Sequence, residues 1–204
     1  MKVLFTCGGT AGHVNPAVAV ARLFQERHPG CEILFVGADG GMECDLVPRE
    51  GFEIRTVTIT NFQRALSPEG VKHNLVTLRN LAVARGQAGK ILDEFPADLV
   101  VGTGGYASYP VVREAARRGI PTAVHESNAV PGLTTRRLAK VVDRVMVGFE
   151  ESRAHYPHPE RVVVTGTPVR GTSSGIPGRR PGRSWASPMK NRCCCPIGDR
   201  WARR

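Results

Sequence analysis

His13 is the first residue in the chain placed to do chemistry. It closes the run Cys7-Gly8-Gly9-Thr10-Ala11-Gly12-His13, a loop with little side-chain bulk. Imidazole changes charge near neutral pH, so it can take a proton from an attacking hydroxyl. The loop bares backbone N–H groups beside an expected helix start, an arrangement suited to a phosphate or diphosphate. A histidine there is poorly placed to be core and well placed to touch a ligand. Glu126, in His125-Glu126-Ser127-Asn128, is the rival base. A carboxylate at a loop start equally well binds neighbouring backbone N–H groups, and both roles stay open. Two more loops share the pattern: Gly102-Thr103-Gly104-Gly105-Tyr106 and Thr165-Gly166-Thr167-Pro168-Val169-Arg170. Each alone is a common turn. Four of them at strand ends line a cleft, because open α/β sheets bind ligands there.

Familiar nucleotide motifs are missing. Cys7 stands where the first glycine of a dinucleotide fingerprint would be, and Gly89-Lys90 lacks the flanking residues of a phosphate-binding Walker loop. Cys193, Cys194 and Cys195 are consecutive and have no zinc-site spacing, while Cys7, Cys31 and Cys44 are scattered, so free thiols are expected, with neither metal nor cofactor. The net charge is +10, but eight of the 28 basic residues and one of the 18 acidic residues lie in 171–204. The remaining 170 residues are only mildly basic, which argues against nucleic acid as their partner. There is no apolar run of about 18 residues, so no membrane span is expected. The first apolar run is too short for a signal peptide.

The elements that must position these loops follow from the pattern. Val3–Phe5, Cys31–Val36, Phe52–Ile59, Ala97–Val101, Pro121–His125, Arg144–Val147 and Arg161–Val164 read as strands. Helices are expected from Pro16, capped by Asn15, over Met42–Val47 with Pro48 as the stop, and over 71–92, Pro110–Arg118 and Leu133–Ala139. Residues 61–69 read as a loop. Alternating strands and helices predict an α/β fold, a doubly wound, mostly parallel Rossmann-like sheet. After Arg170 apolar periodicity ends, and Gly, Pro, Ser, Arg, Cys and Trp dominate. Residues 171–204 are expected to be a disordered basic tail.

The segments GGTAGHVNPAVAVA, GTGGYASYP, HESNAVPGLT and TGTPVR, in this order over residues 1–170, closely resemble the N-terminal half of the MurG family. That resemblance implies the N-terminal, acceptor-side domain of a GT-B fold. The implied activity is an inverting N-acetylglucosaminyl transfer of peptidoglycan synthesis. The donor is UDP-GlcNAc, the acceptor undecaprenyl-diphosphate-linked MurNAc-pentapeptide, and the step converts lipid I to lipid II. It implies no cofactor and a cytoplasmic enzyme peripheral on the inner face of the membrane. Carried over residue by residue, His13 and Glu126 are the candidate catalytic groups. Thr10, Ala11 and Gly12 lie against the ligands in the cleft, and Gly104, Gly105 and Tyr106 form the acceptor-side loop. Asn128 and Arg170 contact the donor.

The chain departs from the family pattern at Ala11, where glycine is usual, and at Ser127 and Thr135, where longer polar residues are usual. A methyl at position 11 would resist a positive φ. The family's second, donor-binding domain does not follow Arg170. The tail is therefore read as out-of-frame translation, and the chain as an incomplete transferase expected to lack activity alone. The alternative is a non-catalytic subunit that binds the lipid-linked acceptor or the membrane and takes a donor domain from a separate chain. In the 71–92 helix, Leu75, Leu78 and Ala82 form a stripe with Lys72, Arg79 and Arg85 nearby. The family's membrane patch and ordinary core packing both account for it, core packing being the expected role of most of its leucines.

Overall fold

The structure is a computed structural model that describes residues 1–60 and 68–169, with the backbone alone for 68–75. Seven strands form the frame: β1 (Lys2–Thr6), β2 (Glu32–Ala38), β3 (Glu53–Val57), β4 (Leu99–Gly102), β5 (Thr122–Glu126), β6 (Arg144–Val147) and β7 (Val162–Val164). The helices are α1 (Ala11–Arg27), α2 (Glu43–Arg49), α3 (Pro68–Glu94), α4 (Ser108–Arg117) and α5 (Leu133–Leu138). Short 3-10 turns at Glu150–His155 and Pro159–Arg161 connect β6 to β7.

All pairings are parallel, and the strand order is β3-β2-β1-β4-β5-β6-β7. The sheet is doubly wound, as the alternation predicts, and wholly rather than mostly parallel. Strand alternation sends Val3 and Phe5 to one face and Leu4 to the other. The first face packs with Val14, Ala17, Val18 and Ala21 of α1 and Val47 of α2. The second packs with Ala84, Ala88 and Ile91 of α3, Val111 and Ala115 of α4, and Leu138 of α5. Phe5 stacks on Phe35 at 5.4 Å between ring centroids. Each such fully buried ring contributes about 1.5–3 kcal/mol by leaving water.

Several helix boundaries differ from expectation: α3 runs Pro68–Glu94, so residues 68 and 69 are helical rather than loop, and α4 begins at Ser108 rather than Pro110. Helix α1 starts at Ala11, not at Pro16. Gly9 adopts φ 85°, Thr10 is extended at the cap, and the chain enters the helix at once. Pro16 therefore sits inside α1, where it denies the exposed Gly12 carbonyl its helical N–H. Helix α2 likewise runs through Pro48, which stands in its last turn, where one missing bond costs little. Arg170 and the 171–204 tail lie outside the described residues, as do most of the 61–69 loop and the side chains of Lys72 and Leu75.

Candidate functional site

The strand order reverses between β1 and β4, which both leave the sheet at the same edge. Such a switch point opens a crevice, because the two following connections run to opposite faces. The loops that leave these strands are Cys7–Thr10 and Thr103–Ala107. They are bound together. Thr103 N–H donates to the Thr6 carbonyl at 3.0 Å, and the Ser108 hydroxyl reaches the Thr6 and Gly104 carbonyls at 3.0 and 2.6 Å. Gly105, at φ 81°, passes so near the first loop that a Cβ there would stand 2.1 Å from the Gly8 carbonyl oxygen.

His13 is fixed at this junction. Its Nδ1 lies 3.1 Å from the Thr103 carbonyl, and the Thr103 hydroxyl donates to the His13 carbonyl at 2.6 Å. A carbonyl only accepts, so Nδ1 carries the proton and the lone pair of the neutral ring is on Nε2. A Cβ on Gly104 would come 2.6 Å from Nδ1, so a glycine is needed to seat the imidazole. Thr10, Ala11 and Gly12 are exposed at the start of α1, where the first amides have no intrahelical acceptor. Ala11 is helical, and no non-glycine residue has positive φ among the described residues, so the methyl at position 11 fits without strain.

Tyr106 is half-buried against Gly9; burial, then the charge of Glu43, pushes its hydroxyl pKa up. Cys7 is buried beneath the loop, and burial with the same carboxylate holds its thiol far above the usual range, so it is no nucleophile. Cys7, Cys31 and Cys44 are free thiols.

Glu43 carries a signal that the sequence reading missed. It is fully buried, and its carboxylate accepts the Gly9 N–H at 3.2 Å and the Ala38 N–H at 2.8 Å.

At the end of β5, Glu126 is also buried. One oxygen accepts the Asn128 backbone N–H at 3.1 Å and its side-chain amide at 2.7 Å; the other accepts the Gly132 N–H at 3.0 Å. Burial alone would raise its pKa, but these bonds and one from Thr135 outweigh it and hold the carboxyl below its ordinary value. A depressed pKa and occupied oxygens suit a loop-holding carboxylate better than a base. Thr135, although short, still reaches Glu126. The Ser127 hydroxyl is buried with no hydrogen-bond partner among the described residues. His125 Nε2 lies 3.0 Å from the Gly166 carbonyl and so ties the third motif to the fourth. Burial lowers its pKa. The structure thus joins the first loop, after β1, to the second, after β4, and the third, after β5, to the fourth, after β7. Among the described residues no group of side chains could hold a metal ion.

Residues 3–147 match the model of the glycosyltransferase family 28 N-terminal domain. The chain belongs to this family. A Thermoanaerobacter relative (strain X514) is 48% identical over 170 residues, which is 83% of this chain and 46% of the relative. It is named UDP-N-acetylglucosamine–N-acetylmuramyl-(pentapeptide) pyrophosphoryl-undecaprenol N-acetylglucosamine transferase. A protein of the same name from Acetivibrio thermocellus is 45% identical, over 83% of this chain and 45% of that one. The crystal structure of Acinetobacter baumannii MurG superposes with a TM-score of 0.62 at 30% identity, covering 74% of this chain and 42% of that one. The chain spans about half the length of the curated relatives it matches.

Proposed function

We propose that residues 1–170 form the acceptor-side domain of an inverting N-acetylglucosaminyltransferase of peptidoglycan synthesis. The donor is UDP-GlcNAc and the acceptor undecaprenyl-diphosphate-linked MurNAc-pentapeptide, as the relatives' names indicate. The observation that carries this reading is His13, held by Thr103 at the switch point with its lone pair on Nε2. In this reading Nε2 takes the proton of the acceptor hydroxyl as that oxygen attacks the anomeric carbon. The bond to UDP breaks on the opposite side, which inverts the centre. The free amides of Thr10–Gly12 and the dipole of α1 face diphosphate charge. Gly104 and Gly105 shape the acceptor side with Tyr106. Glu126 holds the 128–135 loop and leaves Asn128 at the donor side. Arg170 keeps its proposed donor contact. Because the relatives are about twice as long as the matched segment, the reaction needs a second half that holds the donor nucleotide.

The test joins residues 1–170 to the second half of the Thermoanaerobacter relative and measures GlcNAc transfer to a lipid-diphosphate acceptor. Transfer that depends on His13 supports the reading. Acceptor binding with no transfer favours a non-catalytic acceptor-binding subunit instead.

A peripheral seat on the inner leaflet is part of the proposal. Leu78 of α3 and Val141 are exposed, and each lines a shallow surface groove with Arg85 and Arg113. Apolar residues rimmed by cations suit an anionic lipid surface. No helix among the described residues is long and apolar enough to cross a membrane.

A further inference from the structure

Glu43 has a place in the fold that its own helix does not explain. It is a carboxylate with no exposed surface, and no cation pairs with it among the described residues. A buried carboxylate is costly unless N–H donors satisfy it. Here the donors are two backbone amides from different segments, Gly9 in the loop after β1 and Ala38, the last residue of β2. Three glycines clear its space. A Cβ on Gly8, Gly37 or Gly41 would stand 2.6, 2.4 or 2.5 Å from Glu43 side-chain atoms. All three are thus small for one reason, the carboxylate between them.

We propose that Glu43 is a positioning residue of the switch-point site. By drawing the Gly9 N–H inward, it holds Gly9 at its positive φ and sets the turn into α1. The amides of Thr10, Ala11 and Gly12 then stay directed away from the carboxylate and free for a diphosphate. Gly9 also lies against Tyr106, where a Cβ would stand 3.1 Å from the ring, so the same bond sets the tyrosine's seat. Glu43 touches no ligand; it acts through Gly9. The inference rests on the reading of this loop as the diphosphate-facing one.

The test uses the isotope-labelled 204-residue chain, with farnesyl diphosphate as probe. In the unsubstituted chain the Gly9 amide should exchange with solvent at least tenfold more slowly than those of Thr10, Ala11 and Gly12. Comparable rates would overturn the proposal without any variant. In Glu43→Gln, which offers one acceptor oxygen in place of two, the amide resonances of Gly9 through Gly12 should shift, and the probe should bind at least tenfold more weakly to the folded protein. Glu43→Asp keeps the charge on a shorter arm and should fall between. A role in folding alone predicts a lower melting temperature with unchanged resonances and unchanged affinity, and that result overturns the proposal. Failure of the unsubstituted chain to bind the probe would remove the acceptor reading instead. The resonances of Thr10–Gly12 would then still decide whether Glu43 positions the loop.

Discussion

His13 and Thr103, ninety residues apart, are bonded to each other twice, ring to carbonyl at 3.1 Å and hydroxyl to carbonyl at 2.6 Å. The two bonds do different things. The first selects the tautomer with a free Nε2; the second pins the first turn of α1 to the end of β4. They can be separated. In a two-half enzyme, His13→Ala should lower kcat by roughly 100- to 10,000-fold, the usual worth of a general base. Thr103→Val keeps the carbonyl and loses only the hydroxyl. It should cost about 1 kcal/mol of stability and leave kcat within a few-fold. Equal losses of kcat in the two variants would show that the clamp, not the imidazole, carries the effect.

Gly105 and Gly119 make a matched pair. Both have positive φ, 81° and 72°, but only Gly105 faces a neighbour, the Gly8 carbonyl. Gly119→Ala should cost about 1–2 kcal/mol from the left-handed backbone alone. Gly105→Ala adds a collision with main chain and should lower the melting temperature at least twice as far. Similar melts for the two would mean that the two loops part more easily than their contact implies.

Glu114 predicts an acid limb of stability. Its buried carboxylate accepts from Arg117, Arg118 and Arg85. The bond from Arg117 leads in holding its pKa down; burial opposes, bonds from Arg118 and Arg85 assist, and the result is about 2 against an ordinary 4.5. The folded value lies below the unfolded one. Its contribution is therefore complete above about pH 4.5 and is lost as pH falls through about 2. The size is about 2–3 kcal/mol, less than the full shift because the arginines are half in water. Denaturant midpoints between pH 5 and 2 should fall less steeply in Glu114→Gln. Parallel curves would assign the acid loss to other groups.

Much of this was legible in the chain because its signals are local. β6 is found at the expected Arg144–Val147, and the glycine loops fall after strands, at the expected edge of the sheet. What escaped depends on contacts across the fold. The expected strand stops at Val36, yet β2 continues through Gly37 to Ala38, because the glycine makes room for a side chain from α2. Pro16 draws the expected helix start five residues late, because nothing local reveals that Gly9 turns the chain sooner. Glu43 looks like one charge in a short polar helix. Its partners are the amides of Gly9, 34 residues away, and of Ala38, five residues away on the neighbouring strand. Glu126 stayed open between base and loop holder, since the sequence shows its neighbours but not which of them turn their N–H groups toward it.

Leu78 tests the membrane face. It is 58% exposed, whereas Leu81, on the same helix, packs against the core. The two leucines therefore separate lipid contact from folding. Leu78→Asp should leave the melting temperature within about 2 °C, since an exposed site changes stability by under about 0.5 kcal/mol. Leu81→Ala should lower it clearly by removing core contacts. Against vesicles containing phosphatidylglycerol, the unsubstituted chain should co-sediment at low salt and release as salt screens Arg85 and Arg113. Leu78→Asp should bind several-fold less, through lost apolar contact and an added like charge. If Leu78→Asp binds as well as the unsubstituted chain, the lipid contact lies elsewhere. If neither binds at low salt, Leu78 and Val141 are ordinary surface, and the peripheral seat is withdrawn.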